Sequence, residues 1–221
     1  MEAMEPDYDR DPERFRIGQR VTAQYARADL YAEIAGRLPG HDPILDVGCG
    51  EGALAAARPG VIGLDRSPTM LAAAPPPTTL GDAVALPFPD ACFGAVVTVN
   101  VLYHLPEPAR AVEEAHRVLR PGGLFAAATV ARDDSPELAH VWRAEPTSFD
   151  AEEAPGIVAS VFGEVDVDAW DAPLVRLPDR AAVRDYLIGR FLPGDEANRR
   201  AAAVPVPVDV TKRGCVVYGR R

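Results

Sequence analysis

The segment Ile44-Leu45-Asp46-Val47-Gly48-Cys49-Gly50-Glu51-Gly52 constrains this chain more than any other. A short apolar run carries a carboxylate near its end, and glycines then alternate at 48, 50 and 52. Such a pattern reads as a strand entering a turn where glycine supplies positive φ, so that a ligand can reach the backbone with no Cβ in the way. A dinucleotide fingerprint of the form G-x-G-x-x-G would need glycine at position 53, which is alanine. Asp46 would also repel a diphosphate and would suit a ligand bearing a cationic amine. Taken alone, the segment is equally compatible with a tight turn and nothing more.

The surrounding pattern gives that turn a context. Apolar runs at 61–64, 78–80, 93–99 and 124–130 alternate with helical stretches at 53–57, after Ser67-Pro68, and at 107–119. Residues 93–99 are almost wholly apolar, as expected of a strand buried on both faces. Alternation of this kind predicts an α/β fold, a Rossmann-like doubly wound and mostly parallel sheet with ligands over the carboxyl ends of its strands. Ahead of it, residues 12–38 read as one helical cap with an apolar stripe at Phe15, Val21, Tyr25, Leu30, Tyr31, Ile34 and Leu38. The first 13 residues hold six carboxylates (Glu2, Glu5, Asp7, Asp9, Asp11, Glu13) and are expected to begin disordered. Beyond 130, a polar loop at 132–147 precedes a helix at 150–162, a strand at 165–169 and a helix at 179–192. Segments 206–211 and 214–218 are expected to close the sheet as an antiparallel hairpin turning at Lys212-Arg213. With no linker in view, 221 residues are expected to form a single domain: cap 1–39, ligand-binding core 40–130, and acceptor side 131–221.

Charge and cysteine content narrow the partners. A net charge of −10 disfavours nucleic acid, and no apolar run approaches the roughly 20 residues of a membrane span. Of the 23 basic residues only Lys212 is a lysine. Cys49, Cys92 and Cys215 show neither metal spacing nor pairing, which with no leader-like start predicts a reducing, cytoplasmic setting and no metal. The 22 prolines are spread as punctuation and predict short, rigid connections.

Further polar residues line the expected ligand edge. Asp65 ends the second strand, where it could accept bonds from two ribose hydroxyls or simply cap the helix at Ser67-Pro68. Asp82, beside Ala83, could meet an adenine edge or serve as a turn carboxylate. Asn100 and Val101 lie just past the fourth strand, with Leu102 and Tyr103 as pocket walls. His104 is the candidate general base, its alternative being a cap for the following helix. His116 reads as packed against its helix. His140 and Trp142 could touch an acceptor or belong to an ordinary surface loop. Tyr8, Phe15, Arg20 and Tyr25 could close over a ligand or serve helix packing. Nothing near Cys49 would lower its pKa, so it reads as a small residue of the turn.

In order, ILDVGCGEG (44–52), VIGLD (61–65), GDAVALPFPD (81–90) and VLRPGG (118–123) resemble the class I S-adenosylmethionine-dependent methyltransferases, most closely the small-molecule group that includes the ubiquinone and menaquinone biosynthesis enzymes. The resemblance implies S-adenosyl-L-methionine as cofactor. Asp46 with Gly48, Cys49, Gly50 and Gly52 would hold its methionyl end, Asp65 the ribose, and Asp82 and Ala83 the adenine. Asn100 and Val101 would contact the methionine portion through backbone, while Arg66 and Met70 would flank the adenosine. It further implies a small-molecule acceptor in bacterial secondary or cofactor metabolism, reached by Tyr8, Tyr25, Tyr103, His140 and Trp142, and a monomer or homodimer. Two features depart from the family pattern. Gly94 stands where an acidic residue usually follows the phenylalanine of the fourth strand, and stretches 53–60 and 71–78 are short, so their helices should be clipped. A non-catalytic binder of the same cofactor is the alternative. A nicotinamide oxidoreductase is disfavoured by the missing fingerprint and by a single lysine near the end of the chain.

Overall fold

A computed structural model describes residues 8–143 and 145–221. Its centre is a seven-stranded sheet of order β3-β2-β1-β4-β5-β7-β6. The strands are β1 (Ile44–Val47), β2 (Ile62–Asp65), β3 (Thr78–Leu80), β4 (Phe93–Val99), β5 (Leu119–Val130), β6 (Val165–Leu177) and β7 (Val208–Arg220). The first five pair in parallel, and β7 runs antiparallel to both β5 and β6. Strand order reverses between β1 and β4, the switch point over whose carboxyl ends open α/β sheets place their ligands.

Side-chain alternation divides the core. Leu45, Val96, Phe125 and Val217 face one side of the sheet, where α5 (Pro108–Val118) and α6 (Ala154–Phe162) pack. Helix α5 presents Ala111, Val112, Ala115 and Val118 to that side, a spacing that keeps one stripe inward. Ile44, Val97, Ala126 and Val216 face the other side, against Ile34 and Leu38 of the cap and Leu54 of α3 (Ala53–Ala57). A third cluster, of Val21, Leu138, Val175, Val183, Tyr186 and Leu187, joins α1 (Pro12–Tyr25), α7 (Arg180–Ile188) and α8 (Gly194–Ala201) to the far end of β6. Where α1 meets α7 the contact is backbone to backbone: a Cβ at Gly189 would lie 2.6 Å from the Gly18 Cα.

The clipped helices are present as expected, α3 with five residues and α4 (Pro68–Leu71) with four. Gly94 also has a physical reason, since a Cβ there would lie 2.1 Å from the His41 carbonyl oxygen, and no acidic side chain fits. Other expectations need correction. The cap is two helices, because Ala26 leaves α1 to bridge Val175 of β6 before α2 (Leu30–Gly36) begins. The strand expected at 165–169 continues to Leu177, and β7 is one strand running through Lys212-Arg213. Those charges do not turn the chain because each finds a carboxylate: Lys212 on Asp134, Arg213 on Asp133 and Asp171. The closing antiparallel pair is therefore β6 with β7, linked through α7 and α8 rather than by a tight turn. The helix expected at 150–162 starts at Ala154, β5 starts earlier at Leu119, and the helix at 179–192 ends at Ile188, with α8 following it. The expectation of a disordered start concerns in part residues 1–7, which lie outside the described residues.

Candidate functional site

The turn after β1 is held from below by β2: Gly48 and Cys49 N–H both donate to the Leu64 carbonyl. Gly48, at φ +73, passes so close to Val101 that a Cβ would lie 2.3 Å from its Cγ2. Gly50, at φ +54, lies beneath the Phe15 ring, which a Cβ would approach to 3.2 Å. The sequence therefore needs glycine here for two contacts, not only for the bend. Gly52 is the left-handed cap that starts α3.

Asp46 is 4% exposed, and its carboxylate makes no hydrogen bond among the described residues. Burial, with Asp65 adding repulsion, pushes its pKa up from 3.8 to about 7. A buried carboxylate without a partner is costly, and among the described residues no cation is paired with this one. Asp65 is placed differently. One oxygen accepts from Gly50 N at 2.8 Å and the other from Ser67 N at 2.9 Å, which fixes its rotamer and leaves a lone pair on each for a further donor. The helix at Ser67-Pro68 is capped by Ser67 Oγ, so the capping alternative for the Asp65 side chain is not what the structure contains.

A strap from the N-terminal side covers this turn. Asp9 accepts from Ser67 Oγ at 2.6 Å and Thr69 N at 3.1 Å, and Arg16 pairs with Glu51 at 2.7 Å. Tyr8 Oη and His104 Nε2 lie 3.0 Å apart in a hydrogen bond, and Tyr8 and Phe15 meet edge to face. Burial, with Arg66 adding to it, pushes the His104 pKa down to about 4, so the ring is neutral at pH 7. It does not cap α5, whose cap residue Glu107 makes no side-chain capping bond. Tyr103 follows β4 in a 3-10 turn (Leu102–His104) and stacks at a tilt on His104. Burial drives its phenol up to about 12, Arg190 working against that rise. The Tyr31 phenol is also raised, first by burial and then by Asp46.

The other expected residues are distributed around this centre. Asp82 is exposed and accepts from Val84 N at 3.0 Å, the turn arrangement. Asn100 is exposed at φ +57, and Val101 walls the glycine turn. Arg66 is exposed, while Met70 is buried. Cys49 is buried and its thiol is pushed up to about 12, so it is no nucleophile. Tyr25 and Trp142 both pack on the third cluster, whereas His140 is exposed. Arg20 pairs with Glu13 on the cap surface, and His116 meets Phe162 edge to face. Sequence reasoning missed Tyr31, Asp134, Tyr186 and Arg190. The isolated lysine at 212 was the one local hint of a special environment at that end. A groove lined by Arg37, Asp168, Trp170 and Tyr218 lies over the outer strands, away from the glycine turn. Among the described residues no helix is long and apolar enough to cross a membrane.

A family model described as "Methyltransferase domain" matches residues 45–127. The chain is 33% identical over 156 residues to a demethylmenaquinone methyltransferase of Lactiplantibacillus plantarum, covering 62% of this chain and 64% of that protein. It is 32% identical over 126 residues to a 27-O-demethylrifamycin SV methyltransferase of Amycolatopsis mediterranei, covering 49% and 46%. The chain thus spans about half the length of the curated relatives it matches. A solved S-adenosylmethionine-dependent methyltransferase of Thermotoga maritima shares the fold with a TM-score of 0.62 at 18% identity, covering 96% of this chain and 97% of that one. Residues 45–127 are thus similar to a methyltransferase domain, and the fold of the chain is that of a solved S-adenosylmethionine-dependent methyltransferase.

Proposed function

We propose that the protein, as one domain across residues 1–221, transfers a methyl group from S-adenosylmethionine to a small-molecule acceptor in the cytoplasm. The observation that carries this reading is the buried Asp46 carboxylate, without a partner among the described residues, beside the glycine turn at the switch point. Its charge requirement fits the methionyl amine, and the remaining lone pairs of Asp65 fit two ribose hydroxyls. Gly48, Cys49, Gly50 and Gly52 give the methionyl end a backbone-only floor. Asn100 and Val101 close that end, Asp82 and Ala83 receive the adenine edge, and Arg66 and Met70 flank the adenosine. The acceptor class is supported by the names of the two relatives, a demethylmenaquinone and a 27-O-demethylrifamycin SV methyltransferase.

Once bound, the cofactor supplies an electrophilic methyl on a sulfonium, so the protein's own residues have to align, desolvate and retain. Tyr8 and Phe15 shut water away from the turn, and Asp9 and Arg16 fasten them. Neutral His104 holds the Tyr8 hydroxyl. With its pKa near 4 it is a weak proton acceptor, so its part is to position the strap rather than to act as a strong base. The test is calorimetric titration of the full chain with S-adenosylhomocysteine. One-to-one binding that is lost in Asp46→Ala supports the reading, and the absence of binding in the unaltered protein overturns it.

A further inference from the structure

At the same sheet edge as the glycine turn, a second group of charges surrounds the turn after α7. Asp134 is 6% exposed and lies just beyond the carboxyl end of β5. Its oxygens accept from Ser135 Oγ at 2.9 Å, from Arg213 N at 2.9 Å and from Lys212 Nζ. Arg190 approaches the same carboxylate only to 3.9 Å, outside hydrogen-bond reach. Its guanidinium lies over the Tyr186 ring, 3.3 Å from the centroid, with Trp142 at 5.5 Å. Among the described residues its one hydrogen bond goes to the Tyr186 carbonyl at 3.2 Å.

One buried carboxylate, Asp134, faces two cations, hydrogen-bonded to Lys212 and 3.9 Å from Arg190. Arg190 therefore keeps a positive charge at 18% side-chain exposure with most of its five donors unspent. The rings hold the guanidinium flat and leave its N–H edge as the reactive direction. Tyr103, within reach of the Arg190 field, has a hydroxyl with no hydrogen bond among the described residues.

The geometry points to Arg190 as the specificity-determining residue for an anionic acceptor, a planar organic carboxylate or delocalised oxyanion seated between Arg190 and the Tyr103 hydroxyl with its ring toward Trp142. This inference rests on the methyltransferase reading and deepens it by naming the acceptor class. Arg190 supplies the fork that a carboxylate accepts from, Tyr103 a further donor, and Lys212 takes the hydrogen bond to Asp134, which leaves Arg190 only the longer 3.9 Å pairing.

The test uses matched neutral and charged probes on the full chain. Benzoate, salicylate and cinnamate are compared with benzamide, salicylamide and cinnamamide by ligand-observed saturation-transfer NMR, with and without S-adenosylhomocysteine. The carboxylates are expected to bind at least about tenfold more tightly than their carboxamides, a ratio set by the charge-assisted fork. In Arg190→Gln that preference should fall to about one while affinity for S-adenosylhomocysteine changes less than about twofold. Lys212→Met should also reduce the preference, because Asp134 is then released to neutralise Arg190, an effect that a purely structural role for the cluster would not produce. Equal binding of both probe classes, binding of neither, or a preference that persists in Arg190→Gln overturns the inference. If Arg190→Gln does not fold, the unaltered protein and Lys212→Met still decide it. Loss of S-adenosylhomocysteine binding in the unaltered protein would remove the methyltransferase reading separately, since the probe preference is also measured without it.

Discussion

Asp46→Asn should make the cofactor-free protein more stable while weakening its hold on the cofactor. The native carboxyl is displaced from 3.8 to about 7, with burial the main cause and Asp65 the second. A group whose folded-state pKa is raised gives its full stability below the unfolded value and loses it as pH climbs through the folded value. The unaltered protein should therefore lose stability from about pH 4 upward and level off above about pH 7. That displacement corresponds to about 4 kcal/mol at pH 8, which relaxation around the charge will reduce. Asparagine keeps the shape and carries no charge, so it should gain on the order of 2–4 kcal/mol over aspartate at pH 8 and less than half of that at pH 5. Urea unfolding of both proteins at these two pH values, without cofactor, measures the difference directly. Calorimetry with S-adenosylhomocysteine at pH 8 should show the opposite order, because the amine loses its counter-charge. A variant no more stable than the parent at pH 8, or a gain equally large at pH 5, would refute the claim that Asp46 is a destabilising charge kept for a ligand.

Asp65→Ala strips the acceptors of Gly50 N and Ser67 N, so S-adenosylhomocysteine affinity should fall by about 1.5–3 kcal/mol and the melting temperature should drop as well. Unchanged affinity by calorimetry would count against a ribose contact. Gly94→Asp, which restores the acidic residue usual in the family, should destabilise by more than about 3 kcal/mol because its Cβ would lie 2.1 Å from the His41 oxygen; urea midpoints report it. The double variant Tyr8→Phe, Arg16→Ala removes one hydrogen bond and one half-exposed ion pair from the strap. It should raise the stopped-flow dissociation rate of S-adenosylhomocysteine about 5- to 20-fold, and an unchanged rate would mean the strap does not retain the cofactor.

The parts of the site that are near in sequence were readable in advance. Asp46, the three glycines and Asp65 span 20 residues, and their spacing alone places them at neighbouring strand ends. What could not be read depends on distant partners. Asp134, Arg190 and Lys212 meet only because β7 runs back beside β5 and α7 turns just above it, and none of the three has a local signature. Lys212-Arg213 resembled a turn because two adjacent charges in a strand point to opposite faces, so that one of them has to meet the covered side. The carboxylates that accommodate them lie 42 or more residues away, at 133, 134 and 171. The break at Ala26 was equally hidden, since its cause is a bridge to Val175. Asp82 was legible as a motif, and in the structure one of its oxygens is taken by Val84 N as in a turn while the other makes no hydrogen bond among the described residues.

Between Gly18 and Gly189 there is no side chain to rotate out of the way. Helix α1, which carries Phe15 and Arg16 over the glycine turn, is thus seated directly on the residue preceding Arg190. A strap lifting to exchange cofactor must either part that contact or carry the Arg190 turn with it. On the proposed reading, a strap that carries the turn with it would give acceptor and cofactor a single door, and turnover would follow an order in which the methylated product leaves before the spent cofactor is replaced.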